Sequence, residues 1–172
     1  INAHLAQLEG KRILAVDNHA TNRRLLELLL DEWQCIPLLA ESAEEAWHIL
    51  EIEQAAGRHV EMIITDMHMP GMDGETFGRR VKAELRFSAI KLVMLTSIGQ
   101  RGDAVRLVQE GFAAYLTKPI NNGQLLRCLQ TVLGQETDAT PAQTLVTRHS
   151  LAESTRHGRI LIVEDNVTNQ LV

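Results

Sequence analysis

The chain has 172 residues, which is long enough for one ordinary domain with appended segments. Hydrophobic residues make up 45% and charged residues 23%, a composition typical of a folded globular protein and unlike that of a disordered chain. The formal net charge is −5 and there is no basic run, so we expect no direct contact with nucleic acid. The apolar runs are far shorter than a membrane span, so we expect no membrane contact by this chain.

The start of the chain and its cysteines favour the cytoplasm. The opening "INAHLAQLEG" lacks the basic start and apolar stretch of a signal peptide. It also lacks an initiator Met, so we expect an excised piece of a longer protein, which could itself be anchored in a membrane. Cys35 and Cys128 show no metal-ligand spacing and have apolar neighbours, so we expect both to be reduced core residues.

Short apolar runs alternate with segments of helical period between residues 12 and 133. The predicted strands are Ile13–Val16, Gln34–Leu39, Met62–Thr65, Ile90–Leu95 and Phe112–Leu116. The predicted helices are Thr21–Trp33, Ala43–Ala56, Gly74–Arg86, Asp103–Glu110 and Asn122–Leu133. Strict alternation predicts an α/β fold, a parallel sheet with helices on both faces, and the continuous apolar runs fit strands buried on both sides.

Three local patterns refine this prediction. The spacing of Leu25, Leu28 and Leu29 places them on one face of the first helix, which we expect to pack on the sheet. Pro37 lacks a backbone donor, so the second strand should lie at a sheet edge. Ser42-Ala43-Glu44-Glu45 has the pattern of a capping box and should open the second helix.

The chain contains one segment almost twice. "RILAVDNHATNRRL" at Arg12–Leu25 aligns without a gap with "RILIVEDNVTNQLV" at Arg159–Val172, 147 residues later. The intervening stretch from residue 134 is polar and rich in Thr, Ala and Gln. We therefore expect the end of a preceding linker at 1–10, a domain at 11–133, a polar linker at 134–157 and the truncated first strand and helix start of a second copy at 158–172.

Reactive side chains follow the predicted strands. Asp17-Asn18 follows the first strand, Asp66 the third, Thr96 the fourth and Lys118 the fifth. The carboxyl ends of parallel strands meet at one edge of the sheet, where ligands bind. A carboxylate can attack a phosphoryl group, Mg²⁺ held by carboxylates reduces the repulsion between the anions, and Lys and Thr can bind phosphoryl oxygens. Each residue alone could be a cap, a turn or a surface group, but their joint position predicts a site.

These residues lie in motifs that resemble the receiver domain of two-component response regulators. The motifs are "ILAVDN", "IITDMHMPGMDG", "VMLTS" and "AYLTKPI", in family order and with family-like spacing, across Lys11 to about Leu133. The resemblance implies a flavodoxin-like, doubly wound, five-stranded parallel sheet of strand order 2-1-3-4-5. It also implies a role in a phosphorelay, with a phosphoryl group passing from phosphohistidine to an aspartate.

The resemblance assigns roles residue by residue. Asp66 would be the phosphoacceptor, with Thr96 and Lys118 contacting the phosphoryl group. Thr96 and Tyr115 would move together as a switch. The family's cis peptide bond would fall at Lys118-Pro119.

The metal site implied by the resemblance departs from the family at one position. Asp17, Asn18, Asp66 and the backbone carbonyl of His68 would hold Mg²⁺, yet the family usually has two acids where this chain has Asp17-Asn18. An Asn oxygen can still ligate a hard cation, but one negative charge is lost. We therefore expect weaker Mg²⁺ binding. His19 is interpreted as an exposed loop histidine, and Met67, Met69 and Met72 as loop-packing residues.

The implied partners are a histidine kinase or a histidine phosphotransfer domain, together with the second receiver of the same chain. The parent would be a hybrid sensor histidine kinase, with a tandem-receiver regulator also compatible; the fragment itself is not a kinase. The switch would change a partner face that includes Arg101, Asp103, Arg106 and Tyr115.

Other functions stay open to different degrees. The main alternative is a degenerate receiver that works as a docking module in a hybrid kinase without efficient phosphotransfer. A phosphohydrolase of similar topology would need an aspartate where His68 stands. A dinucleotide enzyme would need glycine in the turn "DNHATN".

Overall fold

The computed structural model describes residues 7–97 and 103–134, in which five strands and five helices alternate. The strands are β1 (Arg12–Val16), β2 (Ile36–Ala40), β3 (Met62–Asp66), β4 (Lys91–Thr96) and β5 (Ala114–Thr117). The helices are α1 (Ala20–Glu32), α2 (Ala43–Ala55), α3 (Gly74–Ala83), α4 (Asp103–Gln109) and α5 (Asn122–Gly134). The predicted linker beyond residue 134 and the predicted second copy at 158–172 lie outside the described residues.

The strands form one parallel sheet of order β2-β1-β3-β4-β5, which confirms the predicted fold class and strand order. β2, which contains Pro37, is an edge strand as predicted. The register pairs Val16 at the end of β1 with Ala40 of β2 and Thr65 of β3. The carboxyl ends of β1 and β3 therefore lie side by side.

Two hydrophobic cores cover the two faces of the sheet. Alternate strand residues such as Ile13 and Ile64 pack with α1 and α5, while Leu14 and Ile63 pack with α2, α3 and Leu107 of α4. The two-sided burial accounts for the continuous apolar runs in the sequence.

The buried face of α1 differs from the predicted one. Leu29 is buried as expected, but Leu25 and Leu28 are 38% and 50% exposed. The helix instead buries Leu26 and Leu30 beside Leu29. The prediction was wrong because five of the six residues from 25 to 30 are leucine, with only Glu27 between them, so the run fits two adjacent helical faces equally well.

Local backbone signals explain where the element ends differ. β2 begins two residues later than predicted because Gln34 has a positive φ of 61° and turns the chain. α3 ends at Ala83 rather than at Arg86, since Glu84 is already extended at φ −88° and ψ 115°. The capping box is present in part. The N–H of Glu45 donates to Ser42 Oγ at 3.1 Å, but the Glu45 carboxylate accepts from the N–H of Glu41 rather than from that of Ser42.

Both cysteines are buried and free, as predicted. Burial raises the pKa of the Cys35 thiol to about 11 and that of Cys128 to about 12, so both stay protonated near neutral pH. In the part of the chain that the structure describes, none of the helices has the length and apolar character needed to span a bilayer.

A buried carboxylate ties α2 to β1 at the amino-terminal edge of the sheet, opposite the carboxyl ends of the strands. Glu53 accepts two hydrogen bonds from the Arg58 guanidinium, both at 2.7 Å, and one from Arg12 Nε at 3.1 Å. The hydrogen bonds and charge of Arg58, with a further contribution from Arg12, outweigh the effect of burial and lower the pKa of Glu53. The folded state thus favours the ionised form of this residue.

We predict that Glu53→Gln lowers the free energy of unfolding by about 1–2 kcal/mol at pH 7, between the values for exposed and buried ion pairs. Because the folded-state pKa is depressed, the difference is fully present above the unfolded pKa of about 4.3 and is lost as pH falls through the folded pKa. Urea unfolding from pH 7 to pH 3 measures it. Glu51→Gln, at an exposed position in α2 two residues earlier, is the control; an equal effect of both variants would contradict the prediction.

Candidate functional site

The predicted site residues gather at the carboxyl edge of the sheet. Asp17 immediately follows β1, Asp66 ends β3, Thr96 ends β4 and Lys118 follows β5. Asp17, Asp66 and Thr96 are buried, and the Lys118 side chain is 18% exposed. Since all strands are parallel, chain segments far apart in sequence deliver their polar residues to the same place.

Asp17 is a fully buried carboxylate with several donors around it. Its Oδ1 accepts from the N–H of His19 at 2.8 Å, and its Oδ2 accepts from Asn22 Nδ2 and Lys118 Nζ, each at 2.9 Å. Burial would raise the pKa of Asp17, but these hydrogen bonds, led by that from Lys118, outweigh it and the net pKa is lowered. Asp17 is therefore held as an anion.

Lys118 links the two acids of the site. Its Nζ lies 2.9 Å from Asp17 Oδ2 and 3.0 Å from Asp66 Oδ2. One cation therefore lies between two carboxylates in a largely water-excluded site, where charge interactions are stronger than at the surface. The cluster keeps a net negative charge, which favours binding of a further cation.

Asp66 has one carboxylate oxygen in use and one available. Its Oδ2 contacts Lys118, whereas Oδ1 is buried and finds no hydrogen-bond partner among the residues described by the structure. A buried carboxylate oxygen without a partner is costly unless a ligand satisfies it. This oxygen is therefore placed to ligate a cation or to act as a nucleophile.

The amide of Asn18 shows the same feature. Its Oδ1 is also buried without a hydrogen-bond partner in the described part of the chain. Carboxylate and carboxamide oxygens are the donors that Mg²⁺ takes in proteins. Asp17, His19 and Asp66 each offer a ligand atom within 4.8 Å of the others. The residues present thus fit a divalent cation, with Asp17 and Asp66 as oxygen donors and the unpartnered amide oxygen of Asn18, next to Asp17 in the chain, as a candidate third.

Thr96 and Tyr115 lie on neighbouring strands. The backbone N–H of Lys118 donates to the carbonyl of Thr96 at 2.7 Å, which ties the lysine to the end of β4. Tyr115 is half-buried and pairs with Met94 in the register of β4 and β5, where it packs against the core on the α3 side. The Lys118-Pro119 peptide is cis, as predicted.

The loop between β3 and α3 carries the remaining predicted residues. Met67 and Met69 are buried in the core on the α3 side and Met72 packs against it, which confirms their role in loop packing. His68 is exposed, and its side chain is not part of the cluster of candidate metal ligands. His19 is exposed as predicted, with 66% of its side chain accessible, yet its Nδ1 is 3.3 Å from Asp17 Oδ1.

Two positioning residues were missed by the sequence reasoning. Asn22 and Arg23 lie in the first turns of α1 and both contact Asp17; Arg23 Nη1 donates to the Asp17 carbonyl at 2.7 Å. The available signal was their spacing. Residues five and six positions after Asp17 fall on the turn of α1 that faces the end of β1.

Close backbone packing in the site involves Gly74, the first residue of α3. A Cβ at this position would overlap the carbonyl oxygen of Asp66. Glycine therefore lets α3 begin directly against the backbone of Asp66, and Asp73 caps the helix by accepting from the N–H of Thr76 at 2.7 Å.

The fold and the site are those of a receiver-type domain, and comparisons with known proteins agree. The family profile described as "Response regulator receiver domain" matches residues 13–130. Chemotaxis protein CheY1 of Helicobacter pylori is 32% identical over 124 residues, which cover 72% of this chain and 97% of CheY1. The chain belongs to the response regulator receiver domain family. Its domain is thus of the class that accepts phosphoryl groups in two-component signalling and binds Mg²⁺ through acidic residues.

Two further relatives bear on the extent of the match. The high-resolution structure of chemotaxis response regulator CheY4 of Vibrio cholerae has a TM-score of 0.62 at 26% identity, with 72% of this chain and 98% of that chain covered. Response regulator PleD of Caulobacter vibrioides is 29% identical over 164 residues, which cover 90% of this chain but 35% of PleD. The similarity to PleD therefore extends over more of this chain than the similarity to CheY1.

We predict that Gly74→Ala lowers the free energy of unfolding by roughly 1–3 kcal/mol, because the added methyl must displace either the start of α3 or the backbone of Asp66. Urea denaturation provides the measurement. Gly123→Ala in the first turn of α5 is the matched control, since its Cβ would meet its nearest neighbour, Asn121 Oδ1, at an ordinary 3.5 Å. The control should be neutral or slightly stabilised by its helix propensity, and equal destabilisation of both variants would contradict the argument.

Proposed function

We propose that this receiver domain takes a phosphoryl group from a phosphohistidine onto Asp66. Phosphorylation would then change the conformation of a partner-binding face. The observation that carries the proposal is the state of the Asp66 carboxylate: one oxygen contacts the Lys118 ammonium, and the other is buried without a described partner. The histidine donor would belong to a histidine kinase or a histidine phosphotransfer domain.

In the proposed reaction an Asp66 oxygen attacks the phosphorus atom of the phosphohistidine. The new P–O bond forms as the P–N bond breaks, and the leaving imidazole nitrogen retains the electron pair and then takes up a proton. The product is an acyl phosphate on Asp66. Bound Mg²⁺, held by Asp17, Asn18, Asp66 and the His68 carbonyl, would supply charge neutralisation for the phosphoryl oxygens.

Lys118 and Thr96 would stabilise the phosphoryl group once it is in place. Lys118 would exchange part of its contact with Asp66 for a phosphoryl oxygen, and the Thr96 hydroxyl would donate to another. Tyr115, paired with Met94 on the neighbouring strand, would move with Thr96. Such a switch shifts the population between two states, since the phosphoryl group binds one of them better.

The partner-binding face would include Arg101, Asp103, Arg106 and Tyr115. Arg101 and the side chain of Asp103 lie outside the described residues. Arg106 Nη2 is 3.2 Å from Glu75 Oε2, which joins α4 to α3. Tyr115 packs against the core cluster that contains Leu107 of α4, so a movement of Tyr115 would act on a helix that is tied to α3, and α3 begins against Asp66.

Asn18 favours a second candidate function, a docking module of a hybrid histidine kinase that works without phosphorylation. A neutral amide at this position removes one negative charge from the cation site, and the acyl transfer depends on charge neutralisation. The Asp66–Lys118 contact favours the phosphoacceptor as the first candidate.

We further propose that the parent protein carries two receivers in series, as in hybrid sensor histidine kinases, in the cytoplasm. The domain would span 11–133, with 1–10 as the end of a preceding linker, 134–157 as a linker and 158–172 as the start of the second receiver. The near repeat of Arg12–Leu25 at Arg159–Val172 supports this arrangement. The alignment with PleD covers 90% of the chain, so the similarity to response regulators extends beyond residues 11–133.

Phosphorylation of Asp66 is tested by intact-mass analysis of the chain after incubation with Mg²⁺ and a small acyl phosphate. We expect the wild type to gain one phosphoryl group and Asp66→Asn to gain none, because the amide is not a nucleophile. Asp73→Asn, a change of the same kind at the exposed cap of α3, should be phosphorylated like the wild type. A wild type that gains no phosphoryl group at high Mg²⁺, while Asn18→Asp does, would identify the docking module instead.

Asn18→Asp should strengthen Mg²⁺ binding by about tenfold, since it adds a negative charge beside the cation, less the cost of its repulsion from Asp17 and Asp66. Titration calorimetry on the unphosphorylated chain measures the affinity directly. Asn22→Asp adds a negative charge at a residue that contacts Asp17. It tests whether any acid near Asp17 strengthens Mg²⁺ binding. Equal Mg²⁺ affinities for the wild type and Asn18→Asp would rule out the charge argument.

A further inference from the structure

We propose that the cation site of this domain is a mixed nitrogen and oxygen site, in which the imidazole of His19 ligates the metal. Such a site would bind a transition-metal dication in preference to Mg²⁺, and Mn²⁺, the weakest binder of that series, is the paramagnetic probe for it. The inference rests on the proposed function, because it concerns the same site, and it specifies which cation that site takes.

The first observation is the position of His19. Its Nδ1 is 3.3 Å from Asp17 Oδ1, and the ligand atoms of Asp17, His19 and Asp66 all lie within 4.8 Å of one another. His19 is the N-cap residue of α1, but its side chain makes no capping hydrogen bond. The imidazole is therefore not engaged in stabilising the helix, and 66% of the side chain is accessible to solvent.

The second observation is independent of the histidine. Asp66 Oδ1 belongs to a side chain that is only 4% exposed, and this oxygen has no hydrogen-bond partner among the described residues. Asn18 Oδ1 is buried and unpartnered in the same way. Two buried oxygens that lack a donor indicate a ligand that accepts their lone pairs, and a metal ion is such a ligand.

The donor set decides which metal fits. Mg²⁺ is a hard cation that takes oxygen ligands and keeps several waters, so it gains little from an imidazole. The later divalent metals favour imidazole nitrogen, and affinity for a given site rises from Mn²⁺ to Cu²⁺; Mn²⁺ shares the oxygen preference of Mg²⁺ and is the weakest binder of the series. Asn18 weakens the site for both kinds of cation by removing a charge, whereas His19 restores binding only for the metals that accept nitrogen.

Lys118 acts equally on both kinds of cation. Its ammonium lies 3.0 Å from Asp66 Oδ2 and opposes any dication by the same charge. It therefore lowers the absolute affinities and leaves the ratio between Mn²⁺ and Mg²⁺ unchanged. That ratio is the quantity to measure.

The experiment uses the full chain without a phosphoryl donor. Mn²⁺ affinity is obtained from the electron paramagnetic resonance signal of free Mn²⁺, and Mg²⁺ affinity from competition with Mn²⁺. Pulsed resonance of bound Mn²⁺ reports whether a ¹⁴N nucleus is directly coordinated. The variants are His19→Ala and, as the control for surface histidines, His48→Ala at an exposed position of α2.

We expect a ¹⁴N coupling in the wild type that is lost in His19→Ala and kept in His48→Ala. His19→Ala should weaken Mn²⁺ binding by about tenfold or more, since loss of a ligand costs at least as much as loss of an outer-shell partner, and should change Mg²⁺ affinity far less. Absence of the ¹⁴N coupling in the wild type, or an equal loss of Mn²⁺ and Mg²⁺ affinity in His19→Ala, would overturn the proposal.

The proposed function fails separately from this inference. A wild type with ¹⁴N coupling to Mn²⁺ but no phosphoryl gain on Asp66 in the mass assay would retain the mixed site and lose the phosphoacceptor. A wild type that is phosphorylated but shows no ¹⁴N coupling would retain the phosphoacceptor and overturn the mixed site.

Discussion

The contact of one lysine with two buried carboxylates is the interaction on which this site depends. Asp17 follows β1 and Asp66 ends the adjacent β3, so the parallel sheet brings two anions together where water is largely excluded. Their burial is tolerable because Lys118 Nζ lies within 3.0 Å of both. One positive charge lies between two negative charges, so these three side chains keep a net charge of −1. This net charge attracts a cation.

Much of the fold and of the site's location could be predicted, because both follow from short-range patterns. Alternating apolar runs and helical segments predict a parallel sheet, and the sheet brings Asp17, Asp66, Thr96 and Lys118 to one edge wherever they lie in the chain. The proline in β2 predicts its edge position for the same reason, as it lacks a donor for a second neighbour.

What could not be predicted depends on side-chain packing across elements. The closely spaced leucines of α1 fit two helical faces, and only contact with the sheet selects the face with Leu26 rather than Leu25. The spacing of Asn22 from Asp17 indicates the turn of α1 on which it lies, but their contact also needs the angle at which α1 leaves β1, and the spacing does not set that angle. The proximity of His19 to Asp17 is of the same kind, and for this reason an exposed loop histidine was the natural interpretation.

The residues of the site lie far apart in the chain, and this separation has a consequence during synthesis on the ribosome. β1 and β3 are complete long before Lys118, which lies 101 residues after Asp17, has been synthesised. A nascent chain that had folded as far as β4 would place two carboxylates beside each other without their cation, which disfavours that partly folded state. The charge arrangement thus destabilises a fragment that folds early, and the site is stabilised only after β5 and Lys118 have been synthesised.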